Sequence, residues 1–141
     1  MERHGKIRVL VADCHDLIRE GLTALLSRQP DMEVVGDASN AIEAISLFRE
    51  HRPDVALMDL RMHAASAVEA IKTLRTEYPN ARILVLATFP EDEEIVPALR
   101  EGAIDCLLKD MPRDEMYEII RAVYAGERPN YFIQHQSSRY P

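Results

Sequence analysis

The chain has 141 residues, 47% hydrophobic and 29% charged, and a net charge of −7 at pH 7. That length fits one domain able to bury about two thirds of its unfolded surface, and the composition is too apolar for a disordered chain. The acidic balance argues against this chain holding nucleic acid by itself, since phosphate contacts need a surplus of Lys and Arg.

The N-terminal MERHGKIR has no apolar signal region behind it, and no apolar run approaches bilayer length. Membrane contact is therefore not expected, and the reducing cytoplasm is the expected location. The two cysteines, Cys14 and Cys106, form no C-x-x-C pair, which suggests neither a disulfide framework nor a zinc site.

In chain order, short apolar runs alternate with helix-length segments. IRVLVA (7–12) opens the series as a strand and leads into the acids and thiol of Asp13, Cys14 and Asp16. After Asp16, a first-turn acid, Leu17, Ile18, Leu22, Leu25 and Leu26 make a stripe at helical spacing. MEVVG (32–36) is the second strand, and Asn40 caps a helix carrying Ile42, Ile45 and Phe48. DVALMD (54–59) is the third strand; Ser66 begins a helix through Val68, Ile71 and Leu74 that must stop before Pro79. RILVLA (82–87) is the fourth strand, followed by a helix from near Glu91 to Gly102. Pro97 falls inside this helix pattern, so the helix is either kinked or starts late. DCLLK (105–109) is the fifth strand, and the last helix starts at Pro112 and runs to Gly126. The tail GERPNYFIQHQSSRYP (126–141) reads as a linker, which leaves residues 1–126 as the folded domain and 127–141 as linker or tail.

Four of the five strand runs lack in/out alternation, as strands covered on both faces do. The (βα)5 order predicts a doubly wound α/β fold with a parallel five-stranded sheet and helices on both faces. In such sheets ligands bind at the carboxyl ends of the strands, where Asp13, Asp59, Thr88 and Lys109 should converge with Cys14 and Ala87. An Asp can attack phosphorus as a nucleophile. A second Asp helps hold Mg²⁺, which takes hard oxygen ligands, and a Lys neutralises charge on transferred phosphoryl oxygens.

From Ile7 to about Glu127 the chain resembles the receiver domain of two-component response regulators, of the NarL/FixJ class. The motifs are IRVLVAD-x-H, REGLTALL, EVVGDASNAIEAI, RPDVALMDLRM around Asp59, EGAIDCLLKDMPRDE around Lys109, and IRAVYAGE. The resemblance implies a flavodoxin-like fold with strand order 2-1-3-4-5. It implies Asp59 as phosphoacceptor, Lys109 as the contact to the phosphoryl group, and Mg²⁺ held by Asp13, Asp59 and the backbone carbonyl of Arg61. It also implies signalling rather than enzyme activity: a sensor histidine kinase as donor, transcription regulated through a DNA-binding domain that a 16-residue tail cannot hold, and homodimerisation through the helix 4–strand 5–helix 5 face or through helices 1 and 5.

Several residues depart from that pattern. Cys14 falls on the second acid of the metal-binding pair, and Mg²⁺ disfavours sulfur. Loss of even a residue that only supports a ligand costs about 10–100-fold in metal affinity, so loss of this direct ligand should cost at least that, and Mg²⁺ binding is expected to be weak unless Asp16 reaches in. The family spacing of 22 positions back from Lys109 lands on Ala87, with Thr88 one residue later as the substitute hydroxyl. Cys106 replaces an aromatic switch residue, and the loop MHAASA after Asp59 lacks its usual Pro and Gly. These departures open an alternative: a degenerate receiver acting as a phosphorylation-independent interaction or dimerisation module. A redox pair of Cys14 and Cys106 is disfavoured, because strands 1 and 5 are not adjacent in that order. His15 is expected to be structural, and His51 and His63 to be exposed loop residues.

Overall fold

The computed structural model describes residues 5–138. The elements are β1 (Ile7–Ala12), α1 (Asp16–Ser27), β2 (Met32–Ala38), α2 (Ala41–His51), β3 (Val55–Asp59), α3 (Ala67–Glu77), β4 (Ile83–Ala87), α4 (Ile95–Glu101), β5 (Asp105–Leu108), α5 (Arg113–Tyr124) and α6 (Tyr131–Ser138). The five strands form one parallel sheet in the order β2-β1-β3-β4-β5. No helix among the described residues is long and apolar enough to cross a membrane.

The continuous apolar strands follow from two buried faces. Successive strand residues point to opposite sides of a sheet. Leu10, Ala12, Ala56, Met58, Ile83 and Val85 accordingly enter one core with residues of α2, α3 and α4. Val9, Val11, Leu57, Leu84 and Leu86 enter a second core with Leu26, Met116, Ile120 and Val123. Side-chain caps fix the helix starts between them. The Asn40 side chain accepts the Glu43 N–H at 2.8 Å, and the Ser66 hydroxyl accepts the Glu69 N–H at 3.1 Å. Each orients the chain leaving a strand end.

Two apolar residues do not face the core as expected. Leu17 is 86% exposed and Ile42 is 62% exposed. In α1 the inward stripe is Ile18, Leu22, Leu25 and Leu26, and Leu17 lies about 100° around the helix from it. In α2 the fully buried face is built by Ala41, Ala44 and Phe48, so small residues do the packing and Ile42 turns outward.

The fourth helix starts late rather than kinking. Its first residue is Ile95, which puts Pro97 in the first turn, where backbone N–H groups have no intrahelical partner to lose.

The segment read as a linker contains α6, and this corrects the sequence reading. Tyr131 and Phe132 are each 5% exposed, and α6 lies against β5, the edge strand. The buried Asp105 carboxylate anchors it, accepting the Tyr131 N–H at 2.8 Å, the Phe132 N–H at 3.1 Å and its neighbour Cys106 N–H at 2.8 Å. Burial pushes the Asp105 carboxyl above its usual range, although these N–H groups pull the other way. Covering an edge strand also hides its unpaired backbone groups.

Candidate functional site

Asp13 follows β1, Asp59 ends β3 and Lys109 follows β5, so the sheet delivers all three to one end. They meet there. The Lys109 Nζ lies 2.9 Å from Asp13 Oδ2 and 3.2 Å from Asp59 Oδ1. Asp13 is fully buried and Asp59 is 3% exposed. Backbone ties set the strand ends: the Asp13 N–H donates to the Ala38 carbonyl at 3.0 Å, and the Lys109 N–H to the Ala87 carbonyl at 2.9 Å.

The shared cation is what makes two buried carboxylates tolerable. Burial raises the pKa of Asp59, the Lys109 charge lowers it, and the Asp13 charge raises it again; the net direction is upward. Burial works against the Lys109 ammonium, but its hydrogen bond to Asp13 and the charges of Asp59 and Asp13 more than offset that, and its pKa is raised. Lys109 therefore stays charged.

Cys14 takes the remaining side of the crevice. Its Sγ lies 3.6 Å from the Arg61 carbonyl oxygen, 3.7 Å from His15 Nδ1 and 4.0 Å from Asp59 Oδ2. Burial first, then the charges of Asp59 and Asp13, push the thiol pKa up, so it is protonated at neutral pH. Asp16 does not replace it. Asp16 begins α1, where its Oδ1 accepts from Arg19 Nη2 at 2.8 Å and its side chain is 78% exposed.

The fit of Mg²⁺ turns on these donors. Asp13, Asp59 and the Arg61 carbonyl are hard oxygens of the kind Mg²⁺ takes. The protonated thiol among them is soft and uncharged, so the set as a whole does not match Mg²⁺.

Other expected residues fall outside the central triad. Thr88 is exposed in the bend after β4, and among the described residues its hydroxyl makes no hydrogen bond to Asp59 or Lys109. Ala87 is buried at the end of β4. Cys106 is buried in β5, both cysteines are free, and burial drives the Cys106 thiol to about 12. His63 is exposed as expected, whereas His51 closes α2 and is half-buried.

Three supports hold the site: the first was expected only as a structural residue, and the other two were missed. His15 donates its N–H to Asp13 Oδ1 at 2.9 Å, with its Nδ1 at 3.3 Å from the same oxygen. Arg19 Nη1 donates to the Asp13 carbonyl at 2.8 Å. Arg61 holds Asp92 through Nε at 3.0 Å and Nη2 at 2.7 Å, tying the loop after β3 to the loop after β4. The i, i+3 spacing of Asp16 and Arg19 was a usable signal for the second. Nothing local marks Asp92 among the acids at 91–94 as the partner of Arg61.

The family described as response regulator receiver domain matches residues 9–121. The transcriptional regulatory protein LiaR of Bacillus subtilis is 42% identical over 121 residues, covering 86% of this chain and 57% of LiaR. The transcriptional regulatory protein DegU of Brevibacillus brevis is 36% identical over 122 residues, covering 86% of this chain and 52% of DegU. The chain thus spans little more than half the length of these relatives. A NarL signal receiver domain from Mycobacterium tuberculosis superposes with a TM-score of 0.83 at 34% identity, covering 88% of this chain and all of that one. With that sheet order and those relatives, the chain belongs to the response regulator receiver domains, in the NarL/LuxR group.

Proposed function

We propose that this chain is the phosphoacceptor module of a transcriptional response regulator, with Asp59 as the acceptor. A sensor histidine kinase supplies the phosphoryl group: a carboxylate oxygen of Asp59 forms the new P–O bond, the P–N bond to the kinase imidazole breaks, and the imidazole nitrogen keeps the electron pair. Lys109, 3.2 Å from Asp59, neutralises charge on the phosphoryl oxygens. Thr88, on the rim, supplies the hydroxyl once the β4–α4 bend rotates. Asp13, Asp59 and the Arg61 carbonyl would hold Mg²⁺ only weakly, because Cys14 stands beside them. The output is transcriptional, as the relatives' names say of them, through a DNA-binding effector domain joined to this receiver. Because α6 lies on β5, the α1/α5 face, with Leu17 exposed, is the better candidate for homodimerisation than the α4–β5–α5 face.

The observation that carries this reading is an ammonium shared between two buried carboxylates at the sheet's ligand-binding end. A phosphorylation-independent interaction surface does not by itself call for such a costly buried arrangement. The test is intact-mass measurement after incubation with acetyl phosphate and Mg²⁺. The wild-type chain should gain one phosphoryl group, Asp59→Asn none, and Cys14→Asp should label at about tenfold lower Mg²⁺ or less. An adduct on Asp59→Asn, or none on either the wild type or Cys14→Asp, overturns it.

A further inference from the structure

The thiol that spoils the crevice for Mg²⁺ completes a different donor set. One ligand atom each from Asp13, Cys14, His15 and Asp59 lies within 4.8 Å of all the others. The separations are 3.7 Å from Cys14 Sγ to His15 Nδ1, 3.3 Å from His15 Nδ1 to Asp13 Oδ1, and 4.0 Å from Cys14 Sγ to Asp59 Oδ2. Zinc-type bonds of about 2.0–2.3 Å in a tetrahedron give ligand-to-ligand edges of roughly 3.3–3.8 Å. The residues therefore need only small shifts to surround an ion.

We propose that this pocket binds a borderline divalent transition metal, of the zinc or cobalt class, through Cys14 Sγ, His15 Nδ1 and one oxygen each of Asp13 and Asp59. Sulfur and imidazole select such ions over Mg²⁺. The support around the site is already built. Asp13 is fully buried, and its Oδ2 has no hydrogen-bond partner among the described residues apart from the Lys109 ammonium. Lys109 engages Asp13 Oδ2 and Asp59 Oδ1, while Asp13 Oδ1 and Asp59 Oδ2 face His15 and Cys14. On binding, the S–metal bond replaces the S–H bond and the proton leaves to solvent. Two carboxylates and one thiolate then balance the divalent ion and the ammonium. Asp13, Cys14 and His15 are consecutive in the sequence, but the two cysteines lack metal-ligand spacing and Asp59 arrives from another strand.

The experiment is titration of the untagged chain with Co²⁺, followed by absorption, and it does not depend on phosphorylation. A thiolate-to-cobalt charge-transfer band and intense tetrahedral d–d bands are expected. Zn²⁺ should abolish both, and a large excess of Mg²⁺ should not. Cys106→Ser should keep the thiolate band and Cys14→Ser should lose it. His15→Gln, at an exposed side chain, should bind Co²⁺ at least about tenfold more weakly, which keeps the test open if Cys14→Ser folds poorly. No thiolate band in the wild type, a band surviving Cys14→Ser or lost in Cys106→Ser, or unchanged affinity in His15→Gln overturns the proposal.

Discussion

Replacing Lys109 with Met keeps most of the aliphatic stem and removes the charge between Asp13 and Asp59. Both carboxylates are almost wholly buried, and the ammonium lies 2.9 and 3.2 Å from them. Breaking a buried ion pair by removing one partner costs about 3–5 kcal/mol, so Lys109→Met should lose about that much stability at neutral pH. The loss should depend on pH. Asp59 already has a pKa above its usual 3.8, and Lys109 is the main influence lowering it. Without Lys109 the native pKa rises further. A raised native pKa means that the folded state binds the proton more tightly, so its contribution to stability is present at low pH and lost as pH rises through that value. The gap between Lys109→Met and wild type should therefore narrow on moving from neutral to about pH 5. Urea unfolding at both pH values, with Asp59→Asn and the double variant, gives the pairwise coupling, expected at about 1–3 kcal/mol. A wild-type-like midpoint at neutral pH, or a gap that widens on acidification, would refute the shared-cation argument.

Two further outcomes follow from the fold. Asp105→Ala leaves three buried backbone N–H groups without their acceptor, at about 1–3 kcal/mol for each one left unsatisfied. Amide exchange at Tyr131 and Phe132 should accelerate while that of β1 stays slow; equal protection would mean that α6 does not depend on this carboxylate. Ala64, in the loop after β3, has φ of 79°, a conformation that costs a residue with a Cβ about 1–2 kcal/mol. Ala64→Gly recovers this, less about 0.4–1 kcal/mol of added unfolded-state freedom. Its thermal midpoint should rise slightly, and a fall would argue against strain there.

The sheet was readable because the strands are short, largely apolar runs with a polar residue at or just after their carboxyl ends. The site was readable because Asp13, Asp59 and Lys109 occupy equivalent strand ends. Asn40 and Ser66 cap as read, since capping depends on residues three apart. What escaped depended on distant partners. The helix at 131–138 looked like a linker because its N-terminal acceptor, Asp105, lies 26 residues upstream of Tyr131. The Arg61–Asp92 tie spans 31 positions. Leu17 and Ile42 were misplaced because counting apolar residues ignores which face alanines and leucines already fill. Cys14 was recognised as a poor Mg²⁺ ligand, but its meeting with Asp59, 45 positions away, exists only in three dimensions.

The most direct test of Asp59 as the phosphoacceptor is chemical trapping. After reaction with acetyl phosphate, borohydride reduces an aspartyl phosphate to homoserine, and peptide mass mapping locates the change. Homoserine at position 59 and nowhere else is the predicted result, while an adduct at Asp13, Asp16 or a cysteine, with Asp59 unchanged, would contradict it.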